Sequence, residues 1–332
     1  MTSRATVQPV RTPALSVVVP LFNEEENVPE LYRRLTAALG GLTDGYEVLF
    51  VNDGSRDSTA AALEQLRLAD AHVVPLHLSR NFGHQAAVCA GLDRARGQAV
   101  VIMDGDLQDP PEVLDAFLEK WRAGYEVVYA VRTKRKEGLL KRAGYYCFYR
   151  LLRRISDLDI PLDSGDFCLM DRKVVDVLKH LPERMRFVRG LRTFVGFRQV
   201  GVRYERQARG AGQPKYTFRA LLRLAIDGLI SFSSYPLNLV SYLAMFSAGL
   251  TVLLVIWTVW NSISRPETPR GWASTMVVVL FTSTIQLLCL GIIAEYVRRI
   301  FLECKGRPTY IMRDTPPLEA AGGEKEPERE AA

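Results

Sequence analysis

Cysteine and histidine are scarce in this 332-residue chain, with five of one and four of the other. Cys89, Cys147, Cys168, Cys289 and Cys304 are odd in number and widely spaced. That argues against a disulfide framework and fits a reducing compartment, and no pair has the spacing of zinc ligands. No glycine-rich fingerprint follows the first apolar run, so neither a dinucleotide fold nor a P-loop is supported. The N-terminus through Pro13 is polar, with Arg4 and Arg11, and lacks the apolar core of a signal peptide. The first domain is therefore expected to stay in the cytoplasm.

What is present is unevenly spread. Hydrophobic residues make up 48% of the chain, and the region from Leu229 onward is strongly apolar. The net charge is +6, with basic residues clustered between Arg132 and Lys215, beside the apolar part. Next to a bilayer such a cluster suggests anionic lipid or phosphate. Nucleic acid is not expected as a partner, because the basic stretch leads into membrane-type sequence.

Along the first half, short apolar runs alternate with amphipathic segments. Strands are expected at Leu15–Pro20, Tyr46–Val51, His72–Leu78, Ala99–Met103 and Tyr125–Val131, with helices of ten or more residues between them. That alternation predicts a largely parallel sheet covered by helices on both faces. Ligands in such sheets bind beyond the carboxyl ends of the strands. Four polar turns fall there, at Asn23-Glu24, Asp53, Ser79 to Asn81, and Asp104 to Asp106. Asp104-Gly105-Asp106 is an acidic turn followed by Pro110-Pro111 and a helical pattern. By itself it reads as a solvated turn, since short acidic turns are common. With three more polar turns on the same edge, it becomes a place to hold a divalent cation against a phosphate.

The second half changes character. Residues 138–155 form a basic, aromatic, amphipathic segment that suits either a membrane interface or an ordinary surface helix. Residues 217–232 are a second such segment. Two uncharged runs follow that are long enough to cross a bilayer, placed at residues 237–260 and 272–296. Basic residues precede the first and follow the second, so both ends are expected in the cytoplasm and the short Pro-containing loop outside. Trp257, Trp260 and Trp272 suit an aromatic belt at the outer interface. The rest, residues 297–332, forms a cytoplasmic tail, charged and expected to be disordered from Pro316.

With these turns and spans the sequence resembles the family 2 glycosyltransferases, specifically the polyprenyl-phosphate glycosyltransferases related to dolichol-phosphate mannose synthase. The matching segments are Val19-Pro20-Leu21-Phe22-Asn23-Glu24, Val51-Asn52-Asp53-Gly54-Ser55, Ser79-Arg80-Asn81-Phe82-Gly83-His84-Gln85, the run from Asp104 to Pro111, Gly165-Asp166-Phe167, and the run from Arg209 to Tyr216. The resemblance as a whole runs from about Leu15 to Tyr310. The resemblance implies an α/β architecture: a GT-A-type, mostly parallel sheet flanked by helices (residues 14–216), followed by interfacial helices and two transmembrane helices. It also implies transfer of a sugar from a nucleotide sugar to a polyprenyl phosphate at the cytoplasmic face, with inversion at the sugar carbon.

By the same resemblance Asp104, Asp106 and Gln108 form the metal site, for Mg²⁺ or Mn²⁺. Pro20, Asn23, Glu24 and Asp53 match the nucleoside pocket, Ser79, Asn81 and Gly83 close it, and Asp104 also faces the nucleotide. Asp106 and Asp166 are the candidate catalytic carboxylates. Taken singly, Asn23 and Ser79 are explained as well by turn or cap chemistry, and Asp166 by a structural role at a strand end. The acceptor phosphate is already an anion near neutral pH, so it needs an anchor more than a base. Arg132, Arg142, Arg209 and Lys215 are the candidates for that task and for the donor diphosphate, each weighed against a solvated-surface reading. His84 is explained as well by a helix-start role. Cys168 departs from the pattern, since many relatives carry Arg there.

UDP-glucose is the expected donor and undecaprenyl phosphate the expected acceptor, because the segments look closest to bacterial glucosyl-carrier members. GDP-mannose or a modified pentose donor is the nearest alternative. A non-catalytic scaffold that binds nucleotide sugar is the alternative from another class, and the intact Asp104, Asp106 and Gln108 argue against it. A processive polysaccharide synthase is disfavoured by two spans only and by the lack of a Gln-x-x-Arg-Trp motif. A homo-oligomer is left open.

Overall fold

Strands form where apolar and β-branched residues run together, because both of their faces can then be buried. β1 (Leu15–Leu21) is buried along its whole length. β2 (Tyr46–Asn52), β3 (Val73–His77) and β4 (Ala99–Ile102) follow, separated by α1 (Val28–Gly40), α2 (Thr59–Ala69) and α3 (His84–Arg94). A short 3₁₀ turn over Pro111–Val113 leads into α4 (Leu114–Arg122) and β5 (Val127–Arg132). Then come β6 (Ser164–Asp171), α5 (Arg172–His180), α6 (Val188–Phe194) and β7 (Gln199–Tyr204). The long helices α7 (Tyr235–Ser264) and α8 (Trp272–Cys304) close the order. The computed structural model describes residues 13–43, 45–132, 164–184, 186–205, 235–264 and 271–313. The expected interfacial helices at 138–155 and 217–232 lie outside the described residues, as do Arg142, Arg209 and Lys215.

The sheet has seven strands in the order β3-β2-β1-β4-β6-β5-β7. β1 pairs in parallel with β2 and β4, β2 with β3, and β5 with β7. The arrangement is the mostly parallel, GT-A-like sheet that the sequence predicted. The alternation of helix and strand did not disclose β6. It runs antiparallel between β4 and β5, with Cys168 opposite Ile102 and Tyr129. Its first residues, Ser164 to Asp166, consequently lie at the edge where β1 to β4 end.

Alternate residues of each strand serve two apolar cores, one on each face. Val17 and Val19 join Leu31, Leu35, Leu114 and Phe117 on one side. Val18 joins Ala87, Cys89, Val174 and Leu191 on the other. α3 sits unusually close to β1, and Gly91 is the reason: a Cβ there would come within 2.2 Å of Val18 Cγ1. That close seat sets the height of the α3 N-terminus, and so of His84 and Gln85.

Within the long helices, Leu237–Trp257 and Val277–Cys304 are apolar enough to cross a membrane, with mean hydropathies of 2.2 and 2.3. Neither is buried inside the protein, and the two helices pack against each other. The 33 residues of α8 extend about 50 Å at ~1.5 Å per residue, well over the ~30 Å hydrocarbon core. Arg298, Arg299 and Glu303 therefore lie on the same helix as its apolar run.

Gly91→Ala is expected to lower stability by about 1–3 kcal/mol through overpacking against Val18, less the gain in helix propensity of ~1 kcal/mol. Denaturant titration of the purified protein checks it.

Candidate active site

The turns after β1 and β2 are stitched to each other. Asn23 stands in the left-handed region at φ 53°. Its amide donates to Ser55 Oγ at 3.0 Å, and its Oδ1 accepts from the Arg56 amide at 2.9 Å. The Glu24 amide donates to Thr59 Oγ1 at 3.0 Å, and Glu24 Oε2 accepts from Asn27 Nδ2 at 2.6 Å. The Ser58 amide donates to Glu25 Oε2 at 2.8 Å. Asn23 and Glu24 thus tie the turn after β1 to the turn after β2. Pro20, next to last in β1, lies under the acidic turn, its carbonyl oxygen 3.3 Å from where a Cβ on Gly105 would stand.

The turn after β3 is held by Asp53. Its Oδ1 accepts from the Phe82 amide at 2.7 Å and its Oδ2 from the Gly83 amide at 2.9 Å. Burial lifts the Asp53 carboxyl above its ordinary range in spite of these two donors. Gly54, at φ +66°, lets the two turns touch, since a Cβ would come within 2.4 Å of the Arg80 carbonyl carbon. Ser79 and Asn81 are exposed on that loop, and Gly83 is the N-cap of α3 at φ 100°. His77, at the end of β3, bonds Asn52 at 3.1 Å and Glu64 at 3.0 Å, a structural use.

The acidic turn after β4 is tightly formed. Leu107 stands at φ 61°, a left-handed conformation that a branched side chain rarely adopts. The Gln108 amide donates to Asp106 Oδ1 at 3.2 Å. Asp104 is 3.7 Å from His84 Nε2, and the same nitrogen is 3.3 Å from Asp166 Oδ2. One imidazole therefore bridges the carboxylates of β4 and β6. Gln85 Nε2 donates to Asp166 Oδ2 at 3.2 Å, while its Oε1 accepts from the Val188 amide at the start of α6. Arg189 Nε donates to Asp166 Oδ1 at 3.4 Å.

Charge sets the protonation of this cluster. For Asp104, burial first, and then Asp109, Asp166 and Asp106, raise the carboxyl to about 6 against the pull of His84. For Asp166, burial also works against ionisation, but His84, Arg189 and Arg192 outweigh it and hold the carboxyl well below the usual range. Burial opposes the charge on His84 too, yet Asp166, Asp104 and Asp53 push it up to about 9. Asp166 is thus the settled anion, His84 its cation, and Asp104 the carboxylate short of positive charge.

Arg132 lies at the end of β5, on the same edge. Its Nε donates to the Tyr204 hydroxyl at 3.4 Å, which in turn donates to Asp109 Oδ1 at 2.5 Å. Gly165 leaves room for the Arg132 guanidinium, whose Nη2 would be 3.2 Å from a Cβ there. Arg192, buried on α6, lies over the Tyr129 ring at 5.3 Å and beside Cys168. Burial pushes the Cys168 thiol up, with Arg192 pulling the other way.

The sequence-predicted residues of the four turns, with Arg132 and Asp166, therefore share one edge of the sheet. Gln85, Arg189, Arg192, Asp109 and Tyr204 were not singled out. The sequence held one signal for Gln85, its place in the Ser79–Gln85 segment, and none for Arg189 or Tyr204, which tertiary contact alone brings in. Among the described residues no three His, Cys, Asp or Glu side chains form a ready metal cage. Asp104 and Asp106 nevertheless fit a hard cation. Their donors are oxygens, and Mg²⁺ takes only one or two carboxylates when phosphates complete its shell. Burial and the neighbouring carboxylates raise the Asp104 carboxyl, and a cation between Asp104 and Asp106 would favour its ionised form.

Comparison with known proteins bears on this edge. Residues 16–178 match the model of glycosyl transferase family 2, and residues 235–300 match the GtrB C-terminal hairpin. The uncharacterized glycosyltransferase YkcC of Bacillus subtilis (strain 168) is 48% identical over 299 residues, covering 90% of this chain and 93% of its own. The bactoprenol glucosyl transferase of Shigella phage SfII is 41% identical over 300 residues, covering 90% of this chain and 97% of its own. Among solved structures, the mannosyltransferase PcManGT from Pyrobaculum calidifontis, in complex with GDP-Man and Mn²⁺, aligns over 87% of this chain and 88% of its own, at 18% identity and a TM-score of 0.46.

The charge pattern carries a testable consequence for stability. A carboxyl raised by folding binds its proton more tightly in the folded than in the unfolded state. Its stabilising contribution is whole below about pH 4 and is lost as the pH rises through about 6. Asp104→Asn, which removes the charge, is therefore expected to raise stability by about 1–2 kcal/mol at pH 7.5 and to give no gain at pH 4. The range allows for the 27% of the side chain that stays in water. Denaturation curves without divalent cations at the two pH values check it.

Proposed function

The chain belongs to the family 2 glycosyltransferases, in the group of the bactoprenol glucosyl transferases, and on that premise we propose that it transfers glucose from UDP-glucose to undecaprenyl phosphate. The observation that carries this reading is the meeting of Asp104, His84 and Asp166 at the carboxyl edge of a sheet whose chain continues into a two-helix membrane hairpin. The Shigella relatives, named for bactoprenol and glucose, support the choice of sugar and lipid.

The nucleoside lies against Pro20, Asn23, Glu24 and Asp53, with Ser79, Asn81 and Gly83 closing over it. The cross-stitched turns keep this wall rigid before the donor arrives, so little ordering remains to be done on binding. Asp104 and Asp106, with Gln108 beside them, would hold Mg²⁺ or Mn²⁺, which supplies Lewis-acid stabilisation of the leaving diphosphate. Asp166 stays ionised through His84, Gln85 and Arg189, and orients the sugar or the incoming acceptor. The acceptor phosphate has a second pKa near ~6 and attacks as an anion. It needs cations that relieve repulsion from the donor diphosphate. Arg132 is fixed by Tyr204 to do this, with Arg142, Arg209 and Lys215 as its proposed partners. Attack in line inverts the sugar carbon and gives a β-linked lipid-phosphate sugar.

The apolar helices α7 and α8 make this a membrane protein. The catalytic domain and both termini are assigned to the cytoplasmic side, on the basic residues that flank the helices. The two exposed tryptophans near the end of α7, Trp257 and Trp260, suit the opposite interface.

Purified protein given labelled UDP-glucose, undecaprenyl phosphate and Mg²⁺ or Mn²⁺ is expected to produce lipid-extractable label. GDP-mannose and a UDP-pentose in parallel should give little. Asp106→Ala is expected to abolish transfer, and Asp166→Asn to lower kcat about a hundredfold or more. No transfer from any donor would overturn the enzyme reading, and transfer from GDP-mannose alone would overturn the donor.

A further inference from the structure

The chain does not leave the catalytic domain after α8. Gly306, in the left-handed region at φ +66°, ends the helix, its amide donating to the Glu303 carbonyl at 3.2 Å. The chain then turns back and makes contacts on three neighbouring parts of the domain. The Glu303 carboxylate accepts from the Arg184 amide at 3.0 Å, and Arg184 Nη1 donates to the Arg307 carbonyl at 2.8 Å. Tyr310 donates from its hydroxyl to Asp93 Oδ2 at 2.9 Å, near the end of α3. Tyr310 and Met312 also pack against the apolar core on that face of the sheet. Finally, Met312 forms an antiparallel bridge with Leu78. In it the Ser79 amide donates to the Ile311 carbonyl at 2.9 Å and the Arg313 amide donates to the His77 carbonyl at 2.8 Å.

These last contacts fall at the end of β3, an edge strand of the sheet among the described residues. They also fall on the first residue of the Ser79–Gly83 loop. That loop is then held at both ends, at Ser79 by the strap and at Phe82 and Gly83 by Asp53. We propose that residues 303–313 are a strap that positions this loop, so that nucleotide-sugar binding depends on the seating of the second membrane helix against the catalytic domain. The donor side of this inference rests on the function proposed above; the positioning of the loop does not. The residues act through the loop and are positioning residues.

The link has a physical direction. Arg184 lies on the segment leading into α6, which carries Arg189 to Asp166. Glu303 and Arg307 grip that segment, Ile311 holds the first residue of the loop, and Arg313 holds the end of β3 just before it. A displaced α8 would loosen both walls of the site together. A chain seated in its membrane keeps both in place, which favours donor binding where the lipid acceptor is also at hand.

The test uses the full chain in lipid nanodiscs. Arg313→Pro removes one amide donor from the strap, and Arg313→Ala keeps it. Tyr310→Phe removes the bond to Asp93, and Glu303→Ala the grip on Arg184. UDP-glucose is the binding probe, steady-state transfer gives KM and kcat, and hydrogen exchange follows the Phe82 and Gly83 amides. Arg313→Pro and Tyr310→Phe are expected to speed exchange at those amides and to raise the KM for UDP-glucose about five- to tenfold, with kcat within about twofold, as loss of one or two net hydrogen bonds implies. Glu303→Ala should move KM in the same direction, and Arg313→Ala should match the wild type. Unchanged exchange and unchanged KM in both Arg313→Pro and Tyr310→Phe would overturn the proposal. So would an equal fall in kcat with KM unmoved. If the wild type binds no UDP-glucose, the function reading fails on its own, and the exchange rates still decide the strap.

Discussion

The structure turns on a charge balance at the carboxyl edge of the sheet. Asp104, Asp106, Asp109 and Asp166 gather there, and such a concentration of like charge is stable only with cations set among them. His84, Arg189 and Arg192 compensate Asp166, and the Arg132–Tyr204 pair compensates Asp109. Asp104 has His84 at 3.7 Å, but burial first, and then the neighbouring Asp109, Asp166 and Asp106, raise its carboxyl. An edge organised in this way has its remaining demand for positive charge at one place, beside Asp106. That is where a leaving diphosphate and its cation belong in the proposed reaction.

The balance depends on the antiparallel β6. A fifth strand pairing in parallel beside β4 would have brought its amino end to the far side of the sheet. Because β6 runs the other way, its start lies at the ligand edge, and the register that sets Cys168 opposite Ile102 brings Asp166 level with Asp104. The close seat of α3 on Val18, allowed by Gly91, then sets His84 between the two carboxylates and Gln85 against Asp166. Packing and electrostatics thus act on the same few residues, so changes in the core beneath α3 are felt at the site.

The membrane hairpin belongs to the same structure rather than hanging from it. The chain beyond α8 returns to the end of β3 and bonds the His77 carbonyl and the Ser79 amide, which joins the hairpin to the edge of the sheet.

The strands β1 to β5 and the helices α1 to α4 were legible in the sequence, as were the four polar turns and the two long apolar helices. Each follows from local rules: β-branched runs are buried, amphipathic periods make helices, and charge-free runs of sufficient length suit a bilayer. Asp104, Asp106, Asn23, Glu24 and Asp53 stood out because polar turns at the ends of successive apolar runs are visible in the sequence whatever the details of packing. The direction and position of β6 were not legible, since nothing in Ser164–Asp171 states which strands it joins. For the same reason Asp166 stands in the sequence as a candidate without partners, and His84 as either a donor contact or a helix start. Arg189, Tyr204 and the strap at 303–313 act across long separations in the chain, where contact is decided by the register of the sheet and the seating of helices. The sequence by itself determined which groups could serve at the edge of the sheet. Only the tertiary structure decided which of them share a proton, a hydrogen bond or a charge, because those interactions depend on distances of a few ångströms between residues far apart in the chain.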